Sequence, residues 1–411
     1  MAEERTYKRI PALRFPEFKN DGEWEVKKLG EIVEVVNDKC SIDGLDVATY
    51  ISTENMLQNF EGVKKASKLP DTGSFTRFKK GDILFSNIRP YLKKVWKAEF
   101  NGAASNDVMV FRALNDFDNE FVEQLIKSDD FIAYTMSGAK GVKMPRGDKK
   151  LMLDYTVLIP HLDEQHHIAA CLSASDEMLT TTNVKLEQLK AHKKGLMQKL
   201  FPAKDKKMPE LRFKEFEKDG EWGENRLGEV TKVVNRRNKS NRNLPIYSIS
   251  NKDGFILQSE QFDGLDSVSR GYDTSLYKIV TSNTFAYNPA RINVGSIGYS
   301  GNIKECLVSS LYVCFKTTEE IDDSFLMYFF DTSSFNQSVE NNVEGGIRSY
   351  LFYENFSMIK ILLPTILEQK KIASCLKTVD EEIHAISDKA TELEKQKKGL
   401  LQKLFPMTKN N

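Results

Sequence analysis

The sequence predicts two mixed α/β domains, each followed by a long amphipathic helix, as one unit of about 200 residues written twice. Three observations predict it. "KKGLMQKLFP" at Lys193 to Pro202 returns as "KKGLLQKLFP" at Lys397 to Pro406, 204 positions later. "PALRFPEFKNDGEWEVKKLG" (Pro11 to Gly30) returns as "PELRFKEFEKDGEWGENRLG" (Pro209 to Gly228), with 12 of 20 positions identical at an offset of 198. The stretch Glu164 to Pro202 matches Glu368 to Pro406 at 19 of 39 positions, at an offset of 204. The register therefore slips by six residues. The pairs "SNDVMVFRA" and "SSLYVCFKT", at Ser105 and Ser309, place the slip before them.

Within each unit the first part is mixed. Short β-rich runs such as "GDILFS", "DVMVF", "LYVCF" and "MIKILL" are broken by Gly, Asn and Pro. One helix-like stretch follows in each copy, from about Asp118 and from about Asp322. The second part is a long helix. From Ile168 the positions Leu172, Ser175, Leu179, Thr182, Leu186, Leu189, Lys193, Leu196 and Leu200 follow at alternating gaps of four and three. Ile372, Leu376, Val379, Ile383, Ile386, Ala390, Leu393, Lys397, Leu400 and Leu404 repeat the pattern, a seam of about five heptads. Thr365 followed by Glu368 reads as a capping box, and Pro202 and Pro406 close the helices.

Such a helix is a rod of roughly 57 Å. A solitary rod with an apolar seam is unstable in water, so each needs a partner, and the nearest is the other helix. Parallel and antiparallel pairing both satisfy the seam. Two unrelated amphipathic helices, each lying on its own domain, are the alternative, and the sustained heptads argue against it. Gly195 and Gly399 sit inside these helices, where Gly costs about 1 kcal/mol against Ala. Their presence in both copies predicts a close backbone approach there.

Composition excludes more than it selects. Of 411 residues, 40% are hydrophobic and 29% charged, which suits a globular chain with real cores. Lys plus Arg equals Asp plus Glu at 59 each, so overall charge names no partner. "MAEERTYKRIP" carries no apolar segment, and no run approaches the ~18 apolar residues of a membrane helix. Cys40, Cys171, Cys306, Cys314 and Cys375 lie far apart with no CxxC, which points to neither disulfides nor zinc and to the reducing cytoplasm.

Enzyme signatures are missing. There is no GK[ST] phosphate loop and no GxGxxG. "NPAR" at Asn288 to Arg291 lacks the second proline and the aromatic of an amino-methyltransferase motif, and Pro70-Asp71 has no acidic-x-Lys after it. His166 and His167 have Lys370 and Lys371 as their counterparts in the other copy, which makes them solvated helix residues. Basic segments do occur in the first parts: "SNIRPYLKKVWK" from Ser86, "KGVKMPRGDKK" from Lys140 and "NRRNKSNR" from Asn235. Lys and Arg neutralise phosphates, and Arg, Lys, Asn and Gln read base edges. Each segment alone is also an ordinary solvated loop. Their confinement to the mixed parts points to nucleic acid.

The doubled order of variable part and matched helix resembles the specificity (S) subunits of type I restriction-modification systems. The resemblance rests on "LRFPEF...GEWEVKKLGE" and "LRFKEF...GEWGENRLGE", on "IPHLDEQHHIAACLSASDE" and "LPTILEQKKIASCLKTVDE", and on the "KKGLMQKLF" and "KKGLLQKLF" endings. It covers essentially the whole chain. It implies target recognition domains at 1–161 and 209–365, conserved helices at 162–202 and 366–406, a linker at 203–208 and a tail at 407–411. It also implies an antiparallel coiled coil, making the fold class α+β with a pseudo-two-fold internal repeat. Each domain would read half of a bipartite site in double-stranded DNA, and the helices would set the gap between halves. Two methyltransferase (M) subunits would dock and methylate adenine with S-adenosylmethionine. Motor-nuclease (R) subunits would cut with ATP and magnesium. This chain would hold no cofactor and do no chemistry.

By the same resemblance, DNA contacts fall near Asn87, Arg89, Tyr91 and Lys93 and near Lys143 and Arg146 in the first domain. In the second they fall near Asn288, Arg291 and Asn293 and near Arg348 and Tyr350, although Met144 stands where offset 204 would put the mate of Arg348. Like helices and openings then give two M subunits equivalent docking surfaces. Two other functions fit the architecture: a coiled-coil scaffold with two protein-binding heads, and a stand-alone DNA-binding regulator. A fused nuclease or methyltransferase lacks its residues.

Overall fold

The structure is a computed structural model that describes residues 9–41, 45–141, 143–342 and 350–406. The chain divides into two compact units. Unit 1 holds the chain up to Val184 together with Ser387 onward, and unit 2 holds Lys185–Ile386. The long helices, Leu162–Leu200 and Ile366–Leu404, are each shared between units. Unit 1 thus takes the start of the first helix and the end of the second, and unit 2 the reverse.

In unit 1, Glu25–Lys28 pairs antiparallel with Thr156–Ile159, the strand that leads into the first long helix. A four-stranded antiparallel sheet follows the order Val33–Val35, Val108–Ala113, Ile83–Ser86, Val95–Lys97. A second sheet runs Lys39–Cys40, Phe75–Phe78, Gly102–Ala104, Tyr50–Ile51, the last pair parallel. The helix expected from Asp118 is Asn119–Lys127, and the Asp118 carboxylate caps it by accepting the Phe121 N–H at 2.7 Å. Its apolar face (Phe121, Val122, Leu125, Ile126) enters a core with Ile83, Phe85, Phe111, Ile168 and Leu172.

Unit 2 repeats this plan. Gly223–Arg226 pairs with Lys360–Leu363, and the first four-stranded sheet runs Thr231–Val233, Val313–Thr317, Phe285–Tyr287, Ile297–Tyr299. Asp322 caps Asp323–Phe330 through the Phe325 N–H. The second sheet differs at its edge: Gly254–Leu257 is added beside Ile246–Ser250, with Glu305–Val308 and Lys278–Thr281 beyond. The heads therefore share their inner strands and diverge at the rim.

The matched short motifs meet at one joint in each unit. Arg14 of "LRF" crosses 150 positions to Glu164, the first residue of "EQ", with Nε and Nη2 on the two carboxylate oxygens at 2.8 and 2.7 Å. Arg212 holds Glu368 the same way at 2.9 and 2.7 Å. Both pairs are enclosed, with side-chain exposures of 6% and 1% in unit 1 and 7% and 1% in unit 2. The adjacent glutamine is as tightly used. Gln165 donates to the Pro160 carbonyl and accepts from the Asp118 N–H; Gln369 does the same with Pro364 and Asp322. Trp24 of "GEW" packs edge-on against Phe121 and Phe405, and Trp222 against Phe325 and Phe201. Phe201 and Phe405 belong to the two "KLFP" endings. So the opening of each head grips the start of one long helix and the end of the other. Internal packing thus accounts for the buried part of these matched motifs.

The two helices pair antiparallel within each unit. In unit 2, Lys185 meets Glu382 at 3.0 Å and Lys193 meets Asp380 at 2.7 Å, while Leu200 shares a core with Ile372 and Leu376. In unit 1, Lys397 pairs with Asp176, and Leu404 joins Ile168 and Leu172. The lysine breaks in the seam are thus answered by aspartates of the partner helix. Two expectations are corrected. Among the described residues, a Cβ on Gly195 or Gly399 would meet no other part of the chain within 4 Å, so neither marks a close backbone approach there. The capping box is half made: Thr365 Oγ1 accepts weakly from the Glu368 N–H at 3.4 Å, but the Glu368 carboxylate is turned to Arg212.

Removing one partner of such a pair strands a buried charge. Arg212→Ala is expected to cost about 3–5 kcal/mol in denaturant unfolding, and Arg212→Met with Glu368→Leu to restore most of it. Equal losses in the single and double variants would contradict the burial of this pair.

Candidate nucleic-acid interface

The predicted contact residues cluster at one hairpin in each head. In unit 1 the chain leaves Ile83–Ser86, turns through a 3₁₀ turn at Pro90–Leu92, and returns as Val95–Lys97. Proline opens the turn because its ring presets φ and its missing N–H costs nothing there. Arg89 and Lys93 bracket the turn, both in the left-handed region at φ 52° and 54°. Non-glycine residues held there cost on the order of 1–3 kcal/mol each. The surroundings enforce it: the Arg89 N–H donates to the Pro145 carbonyl at 2.8 Å, and the Lys93 N–H to the Pro90 carbonyl at 2.9 Å.

The second predicted cluster is joined to this hairpin. Asn87 accepts from the Gly147 N–H at 3.1 Å, Ile88 bridges to Arg146, and Arg146 exchanges both backbone bonds with Lys140. Gly147 makes this possible, since a Cβ there would lie 2.1 Å from the Met152 side chain and 2.9 Å from Asn87 Oδ1. Asn87, Arg89, Lys143 and Arg146 therefore belong to one surface. Tyr91, Lys143 and Arg146 are exposed. Arg146 pairs with Asp107 at 2.8 Å and Lys93 with Asp129 at 2.6 Å, both solvated pairs that a phosphate can displace. Asn87 points inward, its Oδ1 buried without a partner, and Arg89 Nε is enclosed likewise.

In unit 2 the corresponding hairpin joins Phe285–Tyr287 to Ile297–Tyr299 through a 3₁₀ turn at Ile292–Val294. Strand pairing fixes the equivalence. Ile83 and Phe85 face Lys97 and Val95 as Phe285 and Tyr287 face Tyr299 and Ile297. Arg89 thus corresponds to Arg291, and Lys93 to Gly295, which is also left-handed at φ 86°. Arg291 and Asn293 are exposed, and buried Ile292 anchors the turn. Asn288 is committed to its own turn, its Oδ1 accepting from the Ala290 N–H at 3.1 Å. The Leu351 N–H donates to the Pro289 carbonyl, which sets Tyr350 beside this hairpin. Its ring stacks on that of Phe352 at 5.7 Å and 5°. Arg348 lies outside the described residues.

Some other basic residues are paired in place. Arg236 and Arg242 of "NRRNKSNR" both bind Glu305, and Lys97 binds Glu120. Sequence reasoning placed Lys94 in a basic segment without naming it as a contact, and did not single out Lys64; both are held to a hairpin that docks on the turn after Arg89. Lys64 comes from a hairpin about 30 residues upstream, and no local pattern signals it. Cys306 and Cys314 are buried, and burial pushes both thiols up to about 12, so they stay protonated. Among the described residues, no three His, Cys, Asp or Glu side chains are grouped to hold a metal ion, and no helix is long and apolar enough to cross a membrane.

Comparison with known proteins gives a consistent result. The sequence model of a family described as "Type I restriction modification DNA specificity domain" matches twice, at residues 21–191 and 219–395. The type I restriction enzyme MjaVIII specificity subunit of Methanocaldococcus jannaschii is 25% identical over 421 residues, covering 98% of this chain and 95% of that protein. The crystal structure of a type I restriction-modification system S subunit from M. genitalium superposes with a TM-score of 0.62 at 15% identity, covering 97% of this chain and all of that one. A chain from a structural study of complex assembly and conformational transition in the type I R-M system gives a TM-score of 0.52 at 17% identity, covering 94% and 98%. These two likenesses concern the fold.

Lys93→Gly separates the turn's strain from its charge. Glycine is at home at φ 54°, and the lost Lys93–Asp129 pair is exposed, so stability is expected to stay within about 1 kcal/mol of wild type. DNA affinity is expected to fall. Unchanged binding at unchanged melting temperature would remove Lys93 from the interface.

Proposed function

The chain belongs to the type I restriction-modification DNA specificity family, and from that premise we propose that it reads a bipartite DNA site and leaves methylation and cleavage to partner chains. One observation carries the reading furthest. Both heads present the same hairpin at the same place in the sheet, each with an arginine at the mouth of its 3₁₀ turn, while the residues beside it differ. Head 1 offers Arg89, Tyr91, Lys93, Lys143 and Arg146; head 2 offers Arg291, Asn293 and Tyr350. Equal frames with unequal tips suit an asymmetric site read in two halves. Direct readout needs only a few such side chains per half, and the remaining cations position the duplex through its phosphates.

In this function two methyltransferase subunits and the motor-nuclease subunits assemble around the chain. S-adenosylmethionine, ATP and magnesium are held by those partners. The helix pair fixes the number of unread base pairs between the halves.

Selection of bound duplexes from a random pool tests the assignment. Arg89→Ala is expected to relax one base position in one half-site, and Arg291→Ala one position in the other, each costing about 1–3 kcal/mol. Uniform weakening on all duplexes would instead mark a phosphate contact, and no effect would remove the residue from the interface. Insertion of one heptad into both helices should widen the gap and leave each half-site unchanged. Altered half-sites would refute the spacer role.

A further inference from the structure

Head 1 carries a basic cluster beside its reading turn. The chain from Asn55 to Lys64 forms a small hairpin, bridged at Met56 and Val63, whose tip docks on the turn. The Asn59 N–H donates to the Leu92 carbonyl at 3.1 Å and the Phe60 N–H to the Lys93 carbonyl at 3.0 Å. Buried Asn55 pins the far end, its Nδ2 donating to the Tyr50 and Lys64 carbonyls at 2.8 and 3.0 Å. Lys94 lies across this hairpin and donates to the Thr53 carbonyl at 2.6 Å.

Lys64 and Lys94 are both held to this hairpin, and Arg89 opens the turn on which it docks. Burial holds Lys94 below the usual lysine range, with the nearby charges of Lys64 and Arg89 adding to the effect and Glu54 opposing it. Among the described residues, none of Lys64, Lys94 and Arg89 has a carboxylate within ion-pair distance, whereas neighbouring Lys93 and Lys127 are paired with Asp129 and Glu123. Arg89 is also the residue whose Nε is buried without an acceptor. Three cations against the one nearby carboxylate of Glu54 leave a net positive site that an anion would neutralise. In head 2, Ser296 takes the place of Lys94, and its hydroxyl is spent on the Ile249 carbonyl at 2.8 Å.

We propose that Lys64 and Lys94, beside the reading residue Arg89, clamp one backbone phosphate of the duplex read by head 1. This rests on the DNA-reading function above and adds to it a contact that is blind to sequence. It gives head 1 a larger share of non-specific affinity than head 2.

The test uses the complex of the full chain with its co-purified methyltransferase subunits, titrated with a labelled random-sequence duplex and a labelled target duplex over a range of salt. Losing one phosphate contact lowers the slope of log K against log salt by about 0.9. Lys64→Gln with Lys94→Gln is expected to lower the slope by that amount and to weaken both duplexes by the same factor. Lys64→Gln alone changes only an exposed side chain, so a lowered slope there supports the clamp even if the double variant folds poorly. A wild-type slope in Lys64→Gln, with wild-type affinity for both duplexes, overturns the clamp and leaves the reading function standing. Loss of methyltransferase binding at an unchanged slope would make the cluster a protein contact and overturn it too. A wild-type complex that binds neither duplex overturns the reading function and the clamp together.

Discussion

Arginine reaches back from the opening of each head to a glutamate at the start of a long helix, and everything else in the unit is arranged around that contact. Two charges are taken out of water, which costs several kcal/mol per ion unless the geometry is good. Here it is good: each pair is bidentate, and the spare guanidinium nitrogen donates to the carbonyl of Gly22 or Gly220. Next to it the glutamine ties the same helix start to the cap of the packed helix, and the tryptophan seals the joint against a phenylalanine from the other long helix. A head, the start of one helix and the end of the other are therefore one folding unit. That is why each compact unit takes half of each helix.

Such a joint tolerates little change and the rim tolerates much. The identical residues of the two copies collect where strands, caps and helices are locked together. The unlike residues collect on the hairpin tips and at the edges of the second sheet, where Gly254–Leu257 is added beside Ile246–Ser250 in one head and Lys39–Cys40 beside Phe75–Phe78, at the opposite edge, in the other. Divergence at the tips leaves the frame untouched, since the tips are carried by strands whose inward faces are already satisfied.

Much of this was legible in the sequence. The heptad seam was read correctly because its period persists for some forty residues and each break is short. The helix starts near Asp118 and Asp322 were also legible, but that these two carboxylates cap the helices is seen only in the structure. What the short motifs do was not legible: an arginine and a glutamate 150 positions apart carry no local sign that they touch. Gly195 and Gly399 misled for a related reason, since repetition alone does not say what a glycine faces. At the candidate interface, the sequence named loops but not which of their side chains face inward. Asn87 turns inward and Asn288 is used by its own turn, while Lys64 arrives through a hairpin contact that no pattern announces.

Sequencing methylated adenines in the host genome, with and without this chain, tests the central claim most directly. A pair of unlike short motifs held a fixed number of base pairs apart, methylated on both strands and lost when the chain is deleted, is the predicted result. A single uninterrupted motif that disappears on deletion, or a methylation pattern indifferent to the chain, would contradict it.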